Sequence, residues 1–227
     1  MSRVYVPSSG VYVPSSGPEA WRSLLADPRK HWRKGFSVRT LACAWEAANG
    51  LPSEIAALLG KDSELLLAIP EHKVPLPGGT RESQTDLFAL VRAKGRTMTI
   101  AVEGKVNEPL GPTVAEWFVN PSAGKRKRMS FLCSTLGISD PAPSDVYYQL
   151  LHRTASAAIE ANRFKTDDVA MIVHSFSSEH MWFDAFARFL ALFRLAAKPG
   201  QLVSTSLPDG RRLYLGWARG NPKFLAA

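Results

Sequence analysis

The stretch Gln84–Val106, QTDLFALVRAKGRTMTIAVEGKV, decides how this chain folds. Thr85–Val91 and Thr97–Val106 are rich in β-branched and apolar residues, and Lys94-Gly95 interrupts them. That is the pattern of two strands joined by a tight reversal. An even-length turn at Lys94-Gly95 sets Asp86 directly opposite Glu103. Side chains alternate across a strand, so Glu103 and Lys105 share a face. Directly opposed cross-strand Cβ atoms lie ~5 Å apart, which brings two carboxylates and one ammonium together.

Two facing carboxylates repel unless something cationic lies between them. Two readings stay open on these three residues. In one, a hard divalent cation, Mg²⁺ or Mn²⁺, takes the carboxylate oxygens, and Lys105 serves the attacking water or the charge developing on phosphorus. In the other, Lys105 neutralises both acids in a cross-strand ion triad without a metal. The pattern resembles the PD-(D/E)xK nuclease superfamily, in which an acid on one strand and an acid-x-lysine on the next hydrolyse phosphodiesters with a divalent metal. The matching residues are Asp86, Glu103 and Lys105, with Gly104 between the last two; Thr85 stands where many members have proline. The resemblance implies metal contacts from Asp86, Glu103 and the Gly104 carbonyl, and an accessory acid from an early helix, here Glu46. Glu71-His72-Lys73 repeats the tripeptide, but Pro70 and Pro75 flank it and argue against a central strand there.

The chain has 227 residues, enough for one well-buried domain. Its formal charge of +8 favours a polyanionic partner, nucleic acid, with DNA ahead of RNA. Cys43 and Cys133 read as reduced core thiols of a cytoplasmic protein, and no apolar run approaches the ~20 residues of a membrane span. A homodimer is compatible with this composition.

In chain order, residues 1–17 hold a tandem VYVPSSG repeat and read as a flexible arm, leaving 18–227 as a single domain. Pro18–Ala26 reads as a short helix, and two more are expected, one over Val38–Asn49 behind a Ser37 cap and one ending at Gly60. Leu65–Ile69 reads as a short strand, followed by an irregular bend over Pro70–Gly79. After the hairpin, Pro112 opens a helix through Phe118, and Lys125, Arg126, Lys127 and Arg128 precede a helix over Met129–Leu136. These four cations are the candidates for gripping a nucleic-acid backbone. Ser144 is expected to cap a long helix to Arg163 that carries Gln149 and Arg153 on one stripe. The resemblance implies that Gln149 faces the catalytic residues, and Arg153 is a candidate phosphate contact. Val169–Phe176 reads as a strand buried on both faces, with His174 a satisfied core histidine. A helix over Met181–Ala197 and a hairpin around Pro208-Asp209-Gly210 close the chain.

The expected class is therefore α/β, a mixed central sheet flanked by helices. Its α-β-β-β-α-β core is like that of restriction endonucleases, with added N-terminal helices and a C-terminal hairpin. The function expected is metal-dependent hydrolysis of nucleic acid, with a noncatalytic nucleic-acid- or protein-binding module on the same fold as the alternative. The runs VEGKVNEPLGPTV and YQLLHRTASA also resemble a bacterial protein family to which no activity is assigned.

Overall fold

The computed structural model describes residues 3–227. The chain begins with a hairpin, β1 (Tyr5–Ser8) and β2 (Val11–Pro14), then short helices α1 (Glu19–Arg22) and α2 (Pro28–His31). Helices α3 (Ser37–Ala47) and α4 (Ser53–Leu59) lead into three long strands, β3 (Glu64–Val74), β4 (Ser83–Ala93) and β5 (Arg96–Lys105). Helices α5 (Val114–Trp117), α6 (Ala123–Leu136) and α7 (Tyr148–Phe164) follow. Strand β6 (Asp168–Ser175), helix α8 (Phe183–Ala191), the hairpin β7 (Leu202–Ser206) and β8 (Arg212–Arg219), and a 3₁₀ turn at Pro222–Ala226 complete it.

The six long strands form one mixed sheet in the order β3-β4-β5-β6-β8-β7. The β4–β5 reversal is the expected one: Lys94 and Gly95 both have positive φ, 51° and 75°, the twist that matches a two-residue hairpin loop. The ladder pairs Leu87 with Val102 and Ala93 with Arg96, the even-length register. β5 and β6 then run parallel, which requires a crossover, and α6 and α7 supply it. All of β6 is buried, as its continuous apolar sequence requires.

Alternation splits the sheet residues between two cores. Ala101, Met171, Val173 and Leu215 pack under α6, α7 and α8. Leu87, Ile100, Val102 and Ile172 pack under α3 and α4. The α/β class, mixed sheet and α-β-β-β-α-β order are thus observed, with helices on both faces.

Several element boundaries differ from the sequence expectation. β3 runs through Pro70 to Val74 instead of stopping at Ile69. It is an edge strand, where a missing N–H costs no ladder bond, so Pro70 is tolerated. Helix α6 begins at Ala123, because Ser122 accepts from the Lys125 N–H and caps it there. Helix α7 begins at Tyr148 and Ser144 is no cap; Tyr147 is extended and bridges Thr113. α8 covers only Phe183–Ala191, with Trp182 at φ 72° before it and Arg194 at φ 57° beyond it. The first helix shrinks to Glu19–Arg22.

The repeat, expected as a flexible arm, is a docked hairpin over its described residues; Met1 and Ser2 lie outside them. Ser9 and Gly10 both have positive φ and close the turn. Val4 is buried, and the Ala68 N–H donates to the Arg3 carbonyl at 2.8 Å, which ties the hairpin's base to β3. The two heptapeptides do different jobs. The first SSG makes the turn, while Ser15 of the second donates to Glu46 at 2.5 Å.

Candidate functional site

Three adjoining strands carry one acid each to a common place. The β4–β5 ladder ends at Leu87 and Val102, one pair short of Asp86 and Glu103, and beyond it the two strands part. Asp86 turns into the opening. Its Oδ2 accepts the Gly104 N–H at 2.8 Å and so replaces the missing ladder partner. A Cβ at position 104 would stand 3.4 Å from that oxygen and 3.3 Å from Leu41 of α3, so glycine lets the carboxylate approach this closely. The N–H and C=O of one strand residue leave on the same side, so the Gly104 carbonyl is directed to the same opening.

Glu103 and Lys105 lie on the α7 side of β5, 2% and 4% exposed. Lys105 Nζ donates to Glu103 Oε1 at 2.9 Å, and Gln149 Nε2 donates to the same oxygen at 2.7 Å. Arg153 Nε donates to Glu103 Oε2 at 2.8 Å. One helical turn of α7 therefore presents both Gln149 and Arg153 to one carboxylate, as i, i+4 spacing allows.

The third acid is Glu71, which sequence reasoning set aside. The β3–β4 ladder pairs Pro70 with Leu87 and His72 with Thr85, which sets Glu71 opposite Asp86. Glu71 has φ 52°, a strained backbone for a residue other than glycine. Gln84 Nε2 donates to its Oε2 at 2.6 Å, and its Oε1 is buried without a hydrogen-bond partner. Gln149 Oε1 is a second buried orphan acceptor.

The charges explain the titration. Three carboxylates face two cations, Lys105 and Arg153, which leaves one negative charge in excess. Burial, then the Glu103 charge, pushes Asp86 up to about 7. Burial, then Asp86, pushes Glu71 up to about 8. Burial also opposes the charge on Glu103, but Lys105 and Arg153 outweigh it and hold this acid below the usual carboxylate range. Burial pulls Lys105 down, and Glu103 and Asp86 more than offset it, so the ammonium stays protonated.

Asp86 and Glu71 open into a cavity of about 530 Å³, walled by Arg81, Arg128, Arg153, His152 and the rings of Trp117 and Tyr148. Those two rings stack at 3.9 Å between centroids. Ser83 Oγ lies 2.7 Å from His152 Nδ1. Burial, then Arg153, Arg128 and Arg81, keeps His152 well below its ordinary value, so it is neutral.

The remaining expected residues fall in different places. Glu46 accepts from Trp21 Nε1 at 2.7 Å and from Ser15, which commits it to the N-terminal segment rather than to Asp86 and Glu103. Arg153 is buried on Glu103 and is not a free phosphate contact. Arg128 is buried too. Its guanidinium donates to the carbonyls of Pro77, Leu76 and Gly79, and so it pins the β3–β4 connection instead of standing free. Lys125 Nζ donates to the Trp117 carbonyl at 2.6 Å and lies over that ring, and Arg126 bonds the Pro121 carbonyl. Lys127 is exposed. His174 is the satisfied core residue expected, between Trp45 and Glu54. Cys43 and Cys133 are free. No helix among the described residues is long and apolar enough to cross a membrane.

Among the described residues, no three His, Cys, Asp or Glu side chains lie close enough together to hold a metal alone. The oxygen donors here are of mixed kind: Asp86, the Gly104 carbonyl, and the buried orphan oxygens of Glu71 and Gln149. Once Asp86 and Glu71 are ionised the cluster carries one negative charge in excess, and that set then fits a hard cation. Glu103 fits less readily, because both its oxygens already accept from cations.

No curated protein and no solved structure matches the chain. A family model does match, over residues 14–222, and its description is a domain of unknown function, DUF6946. The chain belongs to that family.

Proposed function

We propose that this chain is a divalent-metal-dependent nuclease of the PD-(D/E)xK kind, hydrolysing phosphodiester bonds in nucleic acid, with DNA ahead of RNA, in the cytoplasm. The observation that carries this reading is the Asp86–Gly104 hydrogen bond where β4 and β5 part, next to Glu103 and Lys105 on the same strand end. Bound there, Mg²⁺ or Mn²⁺ would polarise the phosphoryl oxygens. Asp86, Glu103 and the Gly104 carbonyl would hold it, with the Glu71 and Gln149 oxygens in reserve. Lys105, kept protonated by Glu103, stabilises charge developing on the phosphate. Gln149 fixes the Glu103 oxygen that Lys105 uses.

Incubation with plasmid DNA and with RNA in Mg²⁺ or Mn²⁺ tests the reading. Cleavage that Lys105→Ala abolishes supports it. Absence of cleavage on both polymers, or equal cleavage by the variant, overturns it.

A second reading follows from one observation: Glu103 is already neutralised by Lys105 and Arg153 and accepts a further hydrogen bond from Gln149. A noncatalytic nucleic-acid- or protein-binding module that keeps the fold would retain this network for stability alone. Metal titration separates the two, because a site filled at 100 times its dissociation constant adds ~2.7 kcal/mol of stability, and a module without a metal gains none.

A further inference from the structure

The tandem-repeat hairpin stands beside the site. A second cavity, about 420 Å³, lies between the hairpin's Pro7 and Tyr12 and the β3 edge. It shares Glu71 and Lys73 with the first cavity, so the two lie side by side along the β3 edge. The second cavity is lined by apolar Leu24 and Ile69 and by the cations Lys73 and Arg163, and Tyr12 is 54% exposed beside it. Each cavity is of the size that takes a small-molecule unit such as one nucleotide.

We propose that β1–β2 forms the outer wall of a track for a single unpaired nucleic-acid strand. Tyr12 is the platform for one base, and Lys73 and Arg163 are the contacts for backbone phosphates. The proposal rests on the nuclease reading of Asp86, Glu103 and Lys105, and it names the form of substrate that this site takes. Burial supports the choice of a single strand. Glu103 and Lys105 are almost fully enclosed, so a scissile phosphate must be drawn down into the cavity. A stacked duplex resists lowering one phosphate by itself, whereas an unpaired strand pays little for it. An aromatic ring beside cations suits bases of any sequence, because every base has a π-face. Most of the hairpin precedes the residues that the family model matches, 14–222.

The test uses the full chain, a fluorescein-labelled oligothymidylate, and the same strand annealed to its complement. Binding is read by anisotropy in EDTA, and cleavage is read separately in Mg²⁺. The expected result is single-strand binding about tenfold or more tighter than duplex binding. Tyr12→Ala should weaken it roughly tenfold, Tyr12→Phe should restore it, and the melting temperature should not move. Lys73→Gln and Arg163→Gln should each lower the salt dependence by about one released ion. Equal affinity for the duplex, or affinity unchanged in Tyr12→Ala, overturns the track. Tyr12-dependent binding without cleavage keeps the track and removes the nuclease. Lys105-dependent cleavage indifferent to Tyr12 does the reverse.

Discussion

Replacing Glu71 by glutamine probes the acid cluster while leaving Asp86, Glu103 and Lys105 in place. Glutamine has the shape of a protonated glutamate and keeps an oxygen for Gln84 Nε2, which now lies 2.6 Å from Glu71 Oε2. Glu71 titrates at about 8 in the fold against an ordinary 4.5. The folded chain thus holds a proton between those two values that the unfolded chain has released. Stability contributed by this group is present below pH 4.5 and is lost as pH rises through about 8. Asp86, raised to about 7, loses stability in the same direction over a lower window. At 1.36 kcal/mol for each pH unit, the whole Glu71 effect is at most about 5 kcal/mol. The proton is shared with Asp86, so Glu71 alone accounts for about 2–3 kcal/mol. Glu71→Gln should therefore match the wild type near pH 5. At pH 9 it should melt about 5–10 °C higher, since 1 kcal/mol moves a domain of this size by about 2–4 °C. Calorimetry or circular dichroism melts from pH 5 to 9 read this directly. A variant melting at or below the wild type at pH 9 would refute the charge balance assigned to the cluster. Added Mg²⁺ should supply the missing positive charge and recover stability in the wild type at pH 8 more than at pH 5.

Lys105→Met leaves Glu103 with Arg153 and Gln149 only, so urea unfolding should show a loss of about 2 kcal/mol together with the loss of any cleavage. Arg128→Lys cannot span the Pro77, Leu76 and Gly79 carbonyls with a planar fork, and it should cost about 2 kcal/mol in the same assay. Its effect on oligonucleotide affinity should not exceed that of Lys127→Ala. Gly78→Ala would place a Cβ 2.1 Å from the Gly124 carbonyl at φ 85°, so the protein should lose about 3 kcal/mol or fail to accumulate as soluble protein.

How much of this was legible in the sequence depends on how local each cause is. Lys94-Gly95 fixes its turn by backbone preference alone, so the register that puts Asp86 near Glu103 could be read from the chain. So could the burial of β6, because eight apolar-rich residues admit few other environments. The start of α7 could not be read, because Tyr147 is held extended by its bridge to Thr113, 34 residues earlier. The fate of the basic cluster was hidden for the same reason. Arg128 is buried because the distant Leu76–Gly79 carbonyls need a donor, and nothing near Arg128 in sequence announces that.

Glu71 is the instructive failure. Proline excludes a residue from the middle of a sheet, and Pro70 was read by that rule. At an edge the rule inverts: a residue without an N–H leaves the ladder intact and discourages another strand from adding there. The edge is also where a site must open if substrate is to reach it. Pro70 and the strained Glu71 that follows it are therefore one device. They break the regular strand geometry opposite Asp86, with the ladder resuming at His72, and place a carboxylate on the cavity wall. Two signals were available from sequence: an E-x-K beside proline, and an apolar strand immediately before it. Together they describe an edge strand carrying polar function, and the flanking prolines mark the tripeptide's position at the rim.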